Sequence, residues 1–169
     1  MNSILKEVKE LIFDICDFEL SNIQIEKESL EYCAHQFEIN NQKVVFRLAK
    51  ITPTKIGQFV TLWKRKTDKS PIEPFEISDP IDLFAINVKT ESRFGQFIFP
   101  KAVLIQKGIV TDKKEGKRAI RVYPFWDLTE NKQAQKTQKW QLDYFLEIPF
   151  DGNLDVNRAK LLYSKKIKD

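Results

Sequence analysis

Residues 58 to 66, QFVTLWKRK, alternate as a β-strand does, yet both sides of the alternation are filled. Phe59, Thr61 and Trp63 fall on one face, Val60 and Leu62 on the other. A strand with apolar residues on both faces has to be covered on both sides, which places it inside a layered fold. The two ends of the chain supply the covering layers. Residues 3 to 17 carry Ile4, Leu5, Val8, Leu11, Ile12 and Ile15 at helical spacing behind Ser3, a suitable N-cap. Residues 129 to 145 give a second long helical pattern, with Thr129 as cap and Ala134, Thr137, Trp140, Gln141, Tyr144 and Phe145 on one face.

Between them, residues 30–39 and 43–51 read as a hairpin about Asn40-Asn41. Residues 83–88 and 95–99 form a second antiparallel pair, and 118–123 a strand closed by Pro124. Residues 70–80 form a loop, 101–110 a strand edge or short helix, and 156–163 a short final helix running into the basic KKIK. Thirteen Phe, four Tyr and three Trp favour a strand-rich protein with an aromatic core. The prediction is one domain over residues 1–169, of α/β (α+β) class: a three-layer α/β/α sandwich around a mixed sheet.

The segment KIGQFVTLWKR, residues 55 to 65, returns as RFGQFIFPK, residues 93 to 101. Glycine at a strand entrance permits a positive φ or a close backbone approach. The Gln and Phe that follow point to opposite faces. Either the pattern is a repeated structural device, or Gln58 and Gln96 present paired polar groups on one surface beside Lys55, Lys64, Arg93 and Lys101. The expectation is the shared surface.

Charge is unevenly spread over a chain whose formal net charge is +4. Residues 1–31 hold eight acids against Lys6, Lys9 and Lys27. Residues 47–69 hold seven cations against Asp68 alone, and residues 101–121 hold seven against Asp112 and Glu115. Two basic blocks point to a polyanionic partner.

Other chemistries find little support. Cys16 and Cys33 read as buried thiols of a cytoplasmic protein, and the acids within MNSILKEVKELIFD do not fit a signal peptide. No apolar run reaches the length of a membrane helix. The single histidine, His35, lies in an alternating apolar face and reads as structural. No Gly-x-Ser-x-Gly, P-loop or dinucleotide fingerprint occurs.

The segments FRLAKITPTKIGQFVTLWKR, FGQFIFPKAVL, GKRAIRVYPFWD and QKTQKWQ together resemble the MepB-like family of small bacterial proteins, from about Glu31 to Phe145. The family takes its name from a gene beside a multidrug-efflux pump. The resemblance implies a restriction-endonuclease-like fold and no particular reaction. A nuclease of that kind needs an acid two residues before a Lys on a strand, holding Mg²⁺ against the phosphate. The acid-x-Lys pairs Glu7/Lys9, Asp112/Lys114, Glu115/Lys117 and Glu130/Lys132 fall on helices, caps or a charged loop. The nearest strand match, Asn87-Val88-Lys89 after Asp79 and Asp82, has an amide where the acid belongs; Glu31 and Glu38 are alternative acids.

The resulting expectation is a nucleic-acid-binding protein, DNA before RNA, on a nuclease-like scaffold with a degenerate centre. The expected contacts are Lys50, Lys55, Gln58, Lys64, Arg65, Arg93, Gln96, Lys101, Arg118 and Arg121, with no catalytic residue, metal or cofactor. Two alternatives stand beside it. One is a small-molecule-binding accessory to efflux, with a pocket lined by Trp63, Phe97, Tyr123 and Trp126. The other is an active Mg-dependent nuclease.

Overall fold

The computed structural model describes residues 1–164; the KKIK run lies outside the described residues. In chain order the elements are α1 (Ser3–Val8), continued by a π-helical turn (Lys9–Phe13), then β1 (Leu20–Ile25), β2 (His35–Ile39), β3 (Gln42–Leu48), β4 (Lys50–Ile51), β5 (Gln58–Thr61), β6 (Trp63–Lys64) and β7 (Glu73–Pro74). After these come β8 (Leu83–Lys89), β9 (Phe94–Pro100), α2 (Lys101–Gln106), β10 (Ala119–Val122), α3 (Lys132–Leu142), β11 (Phe145–Glu147) and α4 (Val156–Leu162).

The fold is mixed α+β. Its main sheet has six strands in the order β1-β2-β3-β8-β9-β11, all neighbours antiparallel except β3 and β8. That parallel pair makes the sheet mixed. A second sheet, β10-β5-β4, and a two-stranded ribbon of β6 and β7 lie outside it.

One face of the main sheet, through Phe37, Val44, Phe46 and Ile98, buries Leu5, Val8, Ile12 and Phe13 of the first helix and Ala159 and Leu162 of α4. The other face, through Val45, Phe84, Ile86 and Phe97, buries Val60, Ile120 and Val122 of the second sheet and Leu104 of α2. The layers are therefore three, but one outer layer is half sheet.

The doubly covered strand expected at 58–66 is found elsewhere. Leu62 breaks that segment into β5 and β6, and β5 buries only its Gln58 and Val60 side. Phe59 on its other face is covered by side chains: it meets the Tyr32 ring at 6.4 Å and the Arg121 guanidinium at 5.9 Å. The strands covered by whole layers are β8, buried from Leu83 to Val88, and β9, buried throughout. Residue type alone does not tell a side chain lid from a packed layer.

Local chemistry sets most boundaries. Asn40 and Asn41 adopt φ of 49° and 67°, the paired positive values of a two-residue hairpin turn. Asn2, rather than Ser3, caps α1, accepting from Leu5 N–H at 3.0 Å. Asn131, rather than Thr129, caps α3, accepting from Ala134 N–H at 2.8 Å, and Phe145 has already left the helix to open β11. Residues 101–106 are helical, and strand begins only at His35 because Ser29 and Cys33 are left-handed.

The repeated GQF has a structural answer. A side chain at Gly57 would run into the Tyr123 ring, and one at Gly95 into the Phe145 ring. Each glycine lets an aromatic residue of the neighbouring strand region lie directly on the backbone. The device is the same, but it is used in two different sheets.

Candidate nucleic-acid interface

Each basic block has to be traced to its partners. The first meets the acidic N-terminal segment. Arg47 contacts Glu26, Arg65 pairs with Glu28 at 2.9 Å, and Lys50 with Glu31 at 2.7 Å. Three of the eight N-terminal acids thus neutralise three of the seven cations of the first block.

Four of the expected phosphate ligands instead clasp the segment 70–79. Arg65 donates to Ser70 O at 2.6 Å and Arg118 to Ile72 O at 3.3 Å. Lys64 reaches Glu73 at 3.4 Å and Glu76 and Asp79 at 2.8 Å each. Lys101 donates to the carbonyls of Ile77 and Asp79 at 2.9 and 2.8 Å. A proline-rich loop with little secondary structure of its own is held by cations because its carbonyls and acids need donors. Burial alone would lower the Lys64 pKa, but its bonds to Asp79 and Glu76 prevail and raise it above the ordinary lysine range.

Two expected contacts do not reach the surface. Gln58 is 2 % exposed and Gln96 is 0 % exposed. Gln96 donates to Asn87 Oδ1 at 2.8 Å and accepts from the Tyr163 hydroxyl. Asn87 in turn donates to Arg47 O at 2.9 Å, and Lys89 pairs with Glu7 at 2.7 Å. Asn87 is therefore part of an internal polar chain, while Lys89 is held by a partly exposed ion pair. The two glutamines face different layers, so the shared-surface expectation for GQF fails. Arg93 lies apart, over Phe125 at 5.1 Å and Trp126 at 5.7 Å. The aromatic pocket expected from Trp63, Phe97, Tyr123 and Trp126 does not form either: Phe97 is core, and the other three lie in separate places.

What remains is a groove of about 500 Å³ between the second sheet and α3. Lys55 and Arg121 of the expected set line it, joined by Lys107 and Lys117. No Asp or Glu among the described residues lines it. Arg121 is aimed by the backbone: it donates to Thr52 Oγ1 at 2.8 Å and to Gly57 O at 3.3 Å, above Phe59. Lys107 Nζ stands 5.2 Å from the Trp140 ring centre. Lys55 and Lys117 are exposed, with no ion pair among the described residues. Lys50 extends the basic strip across the sheet, since Lys50, Phe59 and Arg121 stand in register on β4, β5 and β10.

The wall formed by α3 is fixed by three glutamines of QKTQKWQ at a spacing of three. Gln135 donates to Thr129 O at 3.2 Å, and Gln138 to the carbonyls of Pro124 and Asp127 at 2.9 Å each. Gln141, buried, accepts from Tyr123 N–H at 2.9 Å and donates to Arg121 O at 3.0 Å. Its amide acts as one more rung on the open edge of β10 and so ties helix to sheet. This role was not read from the sequence; the i, i+3, i+6 glutamine spacing was the available signal. Among the described residues no three His, Cys, Asp or Glu side chains converge to hold a metal ion, and no helix is long and apolar enough to cross a membrane.

A model of the MepB-like family matches residues 26–147. A solved structure titled as the crystal structure of MepB superposes with a TM-score of 0.74 at 36 % identity, covering 87 % of this chain and 97 % of that one. A bacterial homing endonuclease superposes with a TM-score of 0.46 at 12 % identity, covering 85 % of this chain and 94 % of that one. A search of curated proteins returned no match.

Proposed function

The chain belongs to the MepB-like family, and we propose that it binds nucleic acid, DNA in preference to RNA, in the groove between the second sheet and α3. One observation carries this reading: Lys55, Lys107, Lys117 and Arg121 line the groove, and no carboxylate of the described residues lines it with them. Phosphate contacts by such cations release condensed counterions and supply the affinity. The half-buried rings of Phe59, Tyr123 and Trp140 lie between the cations and offer flat surface to sugars and bases. Asn131, Gln133 and Thr137 add uncharged donors along the helix wall. Lys64, Arg65, Lys101 and Arg118 support the fold and are not assigned to the ligand.

The test is fluorescence anisotropy of a labelled duplex of about 20 base pairs, titrated across salt. With four cations engaged, log Kobs falls against log salt with a slope of about −3 to −4. In the K55Q/K107Q/K117Q variant the slope is shallower by about 2 to 3. Absence of binding at low salt, or an unchanged slope in the variant, contradicts the proposal. Duplex recovered cut after incubation with Mg²⁺ establishes the nuclease alternative instead.

A further inference from the structure

A second cleft, of about 520 Å³, lies between the end of β1 and the segment 63–68. At its base sits Arg47, 1 % exposed. A planar guanidinium carries five N–H donors in a rigid fork. Here Nη1 donates to Phe46 O at 3.0 Å and contacts Glu26. Nε, buried, has no partner among the described residues. Buried charged donors are nearly always satisfied, and one left open beside a cavity asks for an acceptor. Burial also pulls the Arg47 pKa down, while Glu26 opposes that pull.

The rest of the cleft bears on the chemistry of that acceptor. Lys27 and Lys66 line it and have no ion pair among the described residues. Trp63 forms part of the wall, 5.4 Å from the Arg65 guanidinium. The carboxylates Glu26, Glu28 and Asp68 also line it. Glu26 is held by Gln36, whose Nε2 donates to Oε1 at 2.8 Å. A carboxylate thus already occupies one side of the arginine fork, and an entering anion competes with it.

We propose that this cleft binds a phosphate group, with the Arg47 fork as its principal donor, Lys27 and Lys66 as flanking charges, and Glu26 as the carboxylate it displaces. Phosphate matches the fork because its oxygens accept two parallel N–H bonds. The volume leaves room for a nucleoside beside Trp63, so the group comes either from a free phosphate compound or from the end of a strand. The site shares no residue with the groove beside α3, and the two readings stand or fall separately.

Calorimetric titration with inorganic phosphate, AMP and a tetranucleotide with and without a 5′-phosphate tests this on five proteins: unaltered, E26Q, K27Q/K66Q, K55Q/K117Q and Arg47→Met. Removing the competing carboxylate in E26Q tightens phosphate binding about tenfold, and K27Q/K66Q weakens it about tenfold. K55Q/K117Q, altered in the groove beside α3, weakens both tetranucleotides alike and so leaves the gain from the 5′-phosphate unchanged. Arg47→Met abolishes binding if it folds; the surface variants keep the test decisive if it does not. The tetranucleotide binding more tightly than inorganic phosphate only when 5′-phosphorylated identifies a strand end; AMP and phosphate binding best identifies a free compound. No phosphate binding to E26Q, weaker binding to E26Q than to the unaltered protein, or equal binding to K27Q/K66Q overturns the proposal.

Discussion

The groove beside α3 and the segment around residues 63–79 are both rich in lysine and arginine, yet they use their charge in opposite ways. In the second region Lys64, Arg65, Lys101 and Arg118 each have an internal acceptor, while Lys66 and Lys69 form no ion pair among the described residues. Lys64 meets three carboxylates, and Arg65, Lys101 and Arg118 satisfy backbone carbonyls of an irregular loop. In the groove, Arg121 is anchored by carbonyls and a hydroxyl, Lys107 lies on a ring, and Lys55 and Lys117 form no ion pair among the described residues. Positive charge thus marks a binding surface where the fold leaves cations, or part of their donors, without an acidic partner.

The largest expected effect lies on the structural side. Lys64→Met leaves Glu73, Glu76 and Asp79 facing one another without their cation, and removing one partner from such a cluster costs about 3 kcal/mol. Urea unfolding measures it. If the two regions differ as described, the same variant keeps the DNA salt slope of the unaltered protein. K55Q/K107Q/K117Q shows the reverse. It loses about 2 kcal/mol of DNA binding, roughly thirtyfold, while its unfolding free energy stays within about 0.5 kcal/mol, as surface substitutions usually do.

The third prediction concerns pH. The folded Lys64 pKa is raised above its unfolded value. Its stabilisation is therefore fully present below the unfolded lysine pKa of about 10.4 and is lost as pH rises through the higher folded value. The unaltered protein minus Lys64→Met gives a stability difference that is flat from neutral pH to about 10 and shrinks above it. A difference that shrinks toward acid pH before any carboxylate titrates contradicts the assignment.

The smallest effect sharpens the comparison. Glu28 and Glu31 are exposed partners of Arg65 and Lys50. Exposed pairs of this kind contribute well under about 1 kcal/mol. E28Q/E31Q therefore leaves stability almost unchanged, and by freeing Lys50 at the margin of the basic strip it raises DNA affinity by a factor of about two.

Particular residues show what was legible in the sequence. The Asn40-Asn41 hairpin, the β8 and β9 pair, β10 and α4 follow from alternation, turn chemistry and helical spacing, which are local. The strand Leu20–Ile25 was not read, because its alternation is broken by Asn22 at φ 51° and its Ile23 and Ile25 are exposed. The three-residue β11 is too short for any periodicity and exists because it pairs with β9. The family resemblance placed at 31–145 agrees with the match at 26–147.

The site was legible only in part. Lys55 and Arg121 of the expected set line the groove, but Lys107 stands out in the sequence only as a member of a basic block, and Lys117 only there and in the pair Glu115/Lys117. Gln58, Gln96, Lys64 and Lys101 were named for residue type, and each is committed to an internal partner or the core. Which cation is free depends on contacts such as Lys64 to Asp79, 15 residues apart, or Arg118 to Ile72, 46 apart. No window of sequence displays those pairings.

The three tryptophans mark three places, which makes the central claim directly measurable. Trp140 lines the groove, Trp63 lines the cleft over Arg47, and Trp126 packs against Phe145 near Arg93. Their indole N–H resonances, followed by NMR while an unphosphorylated duplex is added at moderate salt, report each place separately. A shift confined to Trp140 is the predicted result. Movement of Trp63 or Trp126 while Trp140 stays still would place nucleic acid elsewhere and contradict the account.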